Sequence, residues 1–336
     1  MSNENRRVMY VFPGQGSQYK GMGSDLYHHY PCAKRVYDQA SDILGYDIAT
    51  LSFEDPDSQL NLTRYTQPAL LTHQIACLEV FDELAPGRYT PFAAGGHSLG
   101  EYTALVVAEA LSFENALRLV NKRGELMGKY GEGGMLATAL DLASARALAD
   151  KYYCGIGSYN LPEQTVVGGT DKDMAALAEE AAALYPRRRS VPLKTEGAFH
   201  TYFMVTAARH FQPILEATEM RVPKIQVLSN YTGDFHESDS AAVKARLFFQ
   251  LFNTVNWVGC LQTAVQSGIN TFIEFGGGIG RSDTPDGMRP NLESIIKKTL
   301  RLADHDALYL PAINRQTIEK TAQLLANQEE SIESQN

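Results

Sequence analysis

Gly96-His97-Ser98-Leu99-Gly100 sets a serine hydroxyl between two glycines, a Gly-x-Ser-x-Gly spelling that can hold a nucleophile at the apex of a turn. A strand that swings into a helix within a few residues needs small neighbours on either side of the residue it displays. With a base beside it, such a serine can form an acyl-enzyme; the same spelling also fits a glycine-rich turn with a serine helix cap. Arg123 is the second chemical signal. It falls among Ala116, Leu119, Val120 and Leu126 in a helical pattern, and a guanidinium there is costly to bury unless paired. Its planar fork matches a carboxylate through two hydrogen bonds, supplied by a substrate or internally by Glu101 or Glu125. Gly276-Gly277-Gly278 could cradle an anion but lacks the following lysine and hydroxyl residue of a P-loop.

The elements that must position these residues begin with Val8–Phe12, a compact apolar run stopped by Pro13-Gly14 and read as a first central strand. Residues 24–44 and 67–84 are helix-compatible, 92–96 is a strand, and 100–110 and 113–127 are helices. From Gly133 the pattern changes. Strand 135–140, helix 141–151, strands 153–159 and 165–168, helix 171–184 and strand 189–193 give the order β-α-β-β-α-β of a ferredoxin-like unit. It reads as a 133–196 insertion into a larger α/β domain formed by 1–132 and 197–315. The larger domain resumes with helix 202–219, strand 225–228, helices 239–252 and 257–266, strand 269–275 and helix 292–302. The end after 315 reads as a helix fraying into a charged tail, 316–336.

The chain has 336 residues, 44% hydrophobic and 21% charged, enough for a sizeable core. Thirty basic and 39 acidic residues give a net charge of −9, which argues against nucleic acid as the main partner. Cys32, Cys77, Cys154 and Cys260 are widely spaced with no histidine at ligand spacing, so no metal site and no disulfide framework is expected. No signal segment or membrane span is legible, so a cytoplasmic, monomeric protein is the expectation.

Taken together, the motifs resemble the malonyl-CoA:acyl-carrier-protein acyltransferases of fatty-acid and polyketide synthesis. The resemblance is carried by Pro13-Gly14-Gln15-Gly16-Ser17-Gln18, Gly96 to Glu101, Arg123-Gly124, Asn160 with Gln164, Gly197-Ala198-Phe199-His200, Ser229-Asn230, Gln250-Leu251 and Glu274, in the family's order over about residues 8–280. It implies an α/β-hydrolase-like core with a parallel central sheet and an inserted ferredoxin-like subdomain. Ser98 would be the nucleophile and His200 its base, oriented by the backbone carbonyl of Gln250. The backbone N–H groups of Gln15 and Leu99 would form the oxyanion hole. Arg123 would bind the malonyl carboxylate, Phe199 would disfavour an α-branch, and Met127 and Asn160 would touch the acyl group or CoA. The resemblance implies malonyl-CoA as donor, no tightly bound cofactor, and the phosphopantetheine thiol of an acyl carrier protein as acceptor.

Thr201, Tyr231, Thr254 and Gly277 depart from the usual family pattern, which suits a free-standing enzyme serving a polyketide assembly line in trans. Arg187-Arg188-Arg189 and Lys297-Lys298 are candidate contacts for an acidic carrier, or simply solvated faces. An acyl hydrolase that clears stalled carriers, a transferase for another acyl unit, a non-catalytic carrier-binding protein and an unrelated serine hydrolase are the competing readings.

Overall fold

A computed structural model describes residues 6–85, 90–282 and 284–333. Five strands build the larger sheet: β1 (Val8–Phe12), β2 (Ala93–Gly96), and three later ones described with their partners below. Between Gly134 and Leu193 lie β3 (Gly134–Thr138), β4 (Gly155–Leu161), β5 (Gln164–Gly169) and β6 (Ser190–Leu193). They are followed by β7 (Gln226–Val227), β8 (Val255–Asn256), β9 (Thr271–Phe275) and β10 (Leu308–Ala312).

The central sheet runs β10-β9-β1-β2-β7, every pair parallel. All five residues of β1 and of β9 are buried, as expected of strands covered on both faces by helices. Helices Thr63–Leu84, Gly100–Val107 and Phe113–Tyr130 pack over one face, and Trp257–Gln266 with Glu293–Leu302 over the other. The architecture is an α/β-hydrolase-like core carrying a ferredoxin-like subdomain.

In that subdomain the order β6-β3-β5-β4 is antiparallel throughout, and helices Leu142–Lys151 and Asp171–Leu184 cover one face through Leu148, Leu177 and Ala181. Asp141 and Thr170 cap these helices on the N–H groups of Ser144 and Asp173. Its sheet is not self-contained: β8 adds in parallel beside β4, pairing Ser158 with Val255 and Tyr159 with Asn256.

Two points differ from expectation. Strand β10 and helix Ile48–Phe53 were not anticipated; Pro311 masks β10, and it is tolerated because β10 is an edge strand. The helix expected after 315 is Arg315–Glu333, which packs on Thr63–Leu84 and β10 and buries Ile318, Ala322 and Leu325. The helix expected at 202–219 is a 3-10 turn, Tyr202–Met204, followed by helix Val205–Ala217.

Candidate active site

Ser98 stands between the end of β2 and helix Gly100–Val107 with φ at 53°, the left-handed backbone of a tight elbow. Both flanking glycines are required by close approach: a Cβ on Gly96 would strike the Gly100 backbone, and one on Gly100 would strike Phe12 O. Asn230 locks the elbow from the neighbouring strand's end. Its Oδ1 accepts the Ser98 N–H at 2.5 Å and its Nδ2 donates to Gly96 O at 2.8 Å.

Ser98 Oγ lies 2.7 Å from His200 Nε2, and His200 Nδ1 lies 2.7 Å from the backbone oxygen of Gln250. A carbonyl can only accept, so Nδ1 carries the proton and Nε2 is left as the acceptor for the serine hydroxyl. Gln250 is the last residue of helix Ser240–Gln250, where a carbonyl has no partner within the helix; this end is aimed at the imidazole. His200 is itself at φ 60°, so both members of the pair sit on left-handed backbone. Burial, with Arg123 nearby, pushes the His200 pKa from 6.5 down to about 3.

The active form of a general base is the neutral one, so this depression extends activity toward acid. The kcat/KM for acylation should stay level from about pH 8 to about pH 5.5, where a histidine at its ordinary value would lose about tenfold. A tenfold loss in that pH–rate profile would mean that His200 titrates normally.

Arg123 is fully buried on helix Phe113–Tyr130. Its Nη1 donates to Gln67 Oε1 at 2.9 Å, and its Nη2 donates to Gln250 Oε1 at 2.9 Å and Ser98 Oγ at 3.1 Å. Gly124 allows helix Thr63–Leu84 to approach closely enough for Gln67 to reach it. The internal ion pair considered from sequence does not form. Glu125 pairs with Lys122, and Glu101 bonds His236, Gln250 and the Asn230 backbone. Arg123 Nε has no partner among the described residues, and burial lowers the guanidinium pKa.

Ser98, His200, Arg123 and Gln67 line one cavity of about 380 Å³. Gln15, Leu99, Met127, Asn160 and Phe199 line it as well, so the sequence candidates at the chemical centre converge on one place. Among the described residues the N–H groups of Gln15 and Leu99 have no acceptor, while that of Ser98 is taken by Asn230. Met127 lies one turn after Arg123 on the same helix face, and Asn160 Oδ1 is 2.9 Å from His97 Nε2.

Residues 9–276 match the acyl transferase domain family. The chain belongs to that family. This acyl transferase is 38% identical over 281 residues to the malonyl CoA-acyl carrier protein transacylase of Bacillus subtilis, across 81% of this chain and 87% of that protein. It is 37% identical over 284 residues to a polyketide biosynthesis malonyl CoA-acyl carrier protein transacylase of the same organism, covering 81% and 93%. Among solved structures it is similar to the malonyl CoA-acyl carrier protein transacylase of Clostridium perfringens, with a TM-score of 0.85, 27% identity, and 98% and 100% coverage. A malonyl-transacylase in complex with its type II polyketide synthase acyl-carrier protein matches with a TM-score of 0.82, 28% identity, and 95% and 99% coverage.

Sequence reading missed several residues of the acyl transferase site. Gln67 carried no signal, being one polar residue in a buried helix. Asn230 and His97 lie inside the family motifs with no role assigned from sequence, and Ile279, after β9, with Leu292 and Ile295, at the start of helix Glu293–Leu302, adds an apolar part of the cavity wall. The basic residues are not at the chemical centre. Arg188 forms a two-pronged pair with Glu163 at 2.8 and 2.9 Å, and Lys297 pairs with Glu293. The Arg188 guanidinium, helped by Lys298, holds the Glu163 carboxyl below its usual range. Gln164, next to Glu163, and Ser294 and Ile295, on the helix that carries Lys297 and Lys298, all line the cavity.

Proposed function

We propose that this acyl transferase moves a malonyl group from malonyl-CoA, through an ester on Ser98, to the phosphopantetheine thiol of an acyl carrier protein. The observation that carries the reading is Arg123: a buried guanidinium with no carboxylate partner, sharing a cavity with Ser98 and touching its hydroxyl. A buried cation with an unused donor suits a substrate that brings its own anion, and a malonyl group has one.

In the reaction Ser98 Oγ attacks the thioester carbonyl while His200 Nε2 takes its proton. The free N–H groups of Gln15 and Leu99 receive the oxyanion, and each such donor contributes about 3 kcal/mol. The CoA thiolate leaves with the proton from His200. The carrier thiol then attacks the Ser98 ester as His200 takes its proton; the bond to Oγ breaks, His200 returns the proton to Oγ, and the malonyl group is left as a thioester on the carrier. Met127 and Asn160 contact the acyl group or the pantetheine arm, and Phe199 crowds the α-carbon against a branch. No cofactor enters the sequence. No described helix is long and apolar enough to cross a membrane; a cytoplasmic reaction suits a CoA thioester and a carrier protein as substrates.

A relative named only as a malonyl CoA-acyl carrier protein transacylase and one named for polyketide biosynthesis are about equally similar, at 38% and 37% identity; the enzyme would be free-standing and act in trans on a polyketide synthase carrier. The basic residues near those that line the cavity would steer an acidic carrier. Charge reversal at Arg187 together with Lys298 should raise the KM for the carrier roughly fivefold at low salt, with Arg189 adding a smaller contribution and Arg188 and Lys297 least, each being paired with a glutamate. An unchanged KM at low salt would remove this surface from docking. The hydrolase reading is served by the same Ser98 and His200, but it gives Arg123 no purpose. Comparing release of free malonate with transfer to a holo-carrier separates the two.

A further inference from the structure

Glu101 lies on helix Gly100–Val107, fully buried, three residues beyond the nucleophile; its backbone N–H donates to Ser98 O at 3.2 Å and its side chain turns to other partners. Its Oε2 accepts from Gln250 Nε2 at 2.8 Å and from the Asn230 N–H at 3.0 Å, and its Oε1 faces His236 Nε2 at 2.8 Å. The Gln250 amide is thereby fully committed. Its NH2 donates to two acceptors, Glu101 Oε2 and Ser98 O, and its oxygen accepts from Arg123 Nη2. A carboxylate offers only acceptors, so it admits one orientation of that amide. The reverse orientation would set the amide oxygen against two other oxygens and the NH2 against a guanidinium, leaving buried donors and acceptors unpaired.

We propose that Glu101 is a specificity-positioning residue: by fixing the Gln250 amide it holds the Arg123 fork over Ser98, poised for a substrate carboxylate. The Glu101 charge also lies close enough to Arg123 to stabilise the guanidinium, and the Tyr102 ring, 5.4 Å from Arg123 Cζ, supports it from another side. His236 completes the arrangement. It is buried, bonded to Glu101 on one nitrogen and without a partner on Nδ1 among the described residues, and it fixes the carboxylate rather than the substrate. Gln250 thus serves twice, its backbone oxygen orienting the base and its side chain orienting the anion receptor, with Glu101 acting on the second.

The inference rests on the malonyl-transfer reading, and the two can fail separately. Wild-type enzyme that forms no malonyl-enzyme from malonyl-CoA overturns the reading itself. Given transfer, the measured quantity is the ratio of kcat/KM for malonyl-CoA to that for acetyl-CoA in CoA release. Glu101→Gln removes the charge with little change of shape, and Gln250→Met cuts the side-chain link while keeping the backbone carbonyl that holds His200. Each should lower the ratio roughly tenfold, chiefly through the KM for malonyl-CoA, and the double variant should lower it no further than either alone. A purely structural Glu101 would depress both substrates together and leave the ratio unchanged. An unchanged ratio in Gln250→Met, or multiplied losses in the double variant, overturns the proposal. Should Glu101→Gln fail to fold, the Gln250→Met ratio alone decides.

Discussion

Replacing Ser98 with alanine should leave no malonyl-enzyme detectable by intact-protein mass spectrometry after incubation with malonyl-CoA, and transfer should fall by roughly 10⁴-fold or more. The reason is geometric. Oγ lies 2.7 Å from His200 Nε2, placed to lose its proton there, and the elbow that presents it is held by Asn230, Gly96 and Gly100 independently of the hydroxyl. The variant should keep its fold, so an adduct that persists on it would place the acyl group elsewhere and remove Ser98 from the mechanism. Residual turnover without an adduct would instead point to direct transfer within the oxyanion hole.

Arg123→Ala should reduce malonyl transfer by roughly 10²- to 10³-fold, because a malonyl carboxylate would enter a buried site with no counter-charge, a loss of about 3–5 kcal/mol. Acetyl transfer should fall far less or rise, since that group asks nothing of the guanidinium. Arg123→Lys should recover only part of the loss: a point charge restores the attraction but not the planar fork that spans Gln67, Gln250 and the substrate. The alanine variant also strands the Gln67 and Gln250 side-chain oxygens, so a lower melting temperature is expected alongside. Kinetics with both acyl-CoAs on each variant provide the check. Equal losses for malonyl and acetyl would reduce Arg123 to a packing residue.

The parts of this site visible in the sequence were those whose constraint is local. Ser98 could be read because a tight elbow forces glycine at 96 and 100, and Arg123 because a charge breaks an apolar helical pattern. His200 could not be joined to Ser98 by spacing, since 102 residues separate them. The resemblance supplied that link and the geometry then tested it. Gln67, Asn230 and Glu101 are a different case. Each is a polar residue whose meaning lies wholly in buried long-range partners, and no period, cap or turn marks such a residue. The fold followed the same division. Helix 171–184 was legible from its pattern, whereas β10 hides behind Pro311 and β8, two residues long, exists only as a pairing across the chain.

That pairing of β8 with β4 carries a consequence for how the protein is made and how it could be rearranged. Residues 158–159 wait for 255–256, so the smaller sheet closes its last edge only after most of the core has emerged. Until then β4 offers unpaired backbone groups to any passing strand. The smaller unit is therefore not a portable cassette: exchanging it between relatives without its distant strand would transplant an open edge along with the lid.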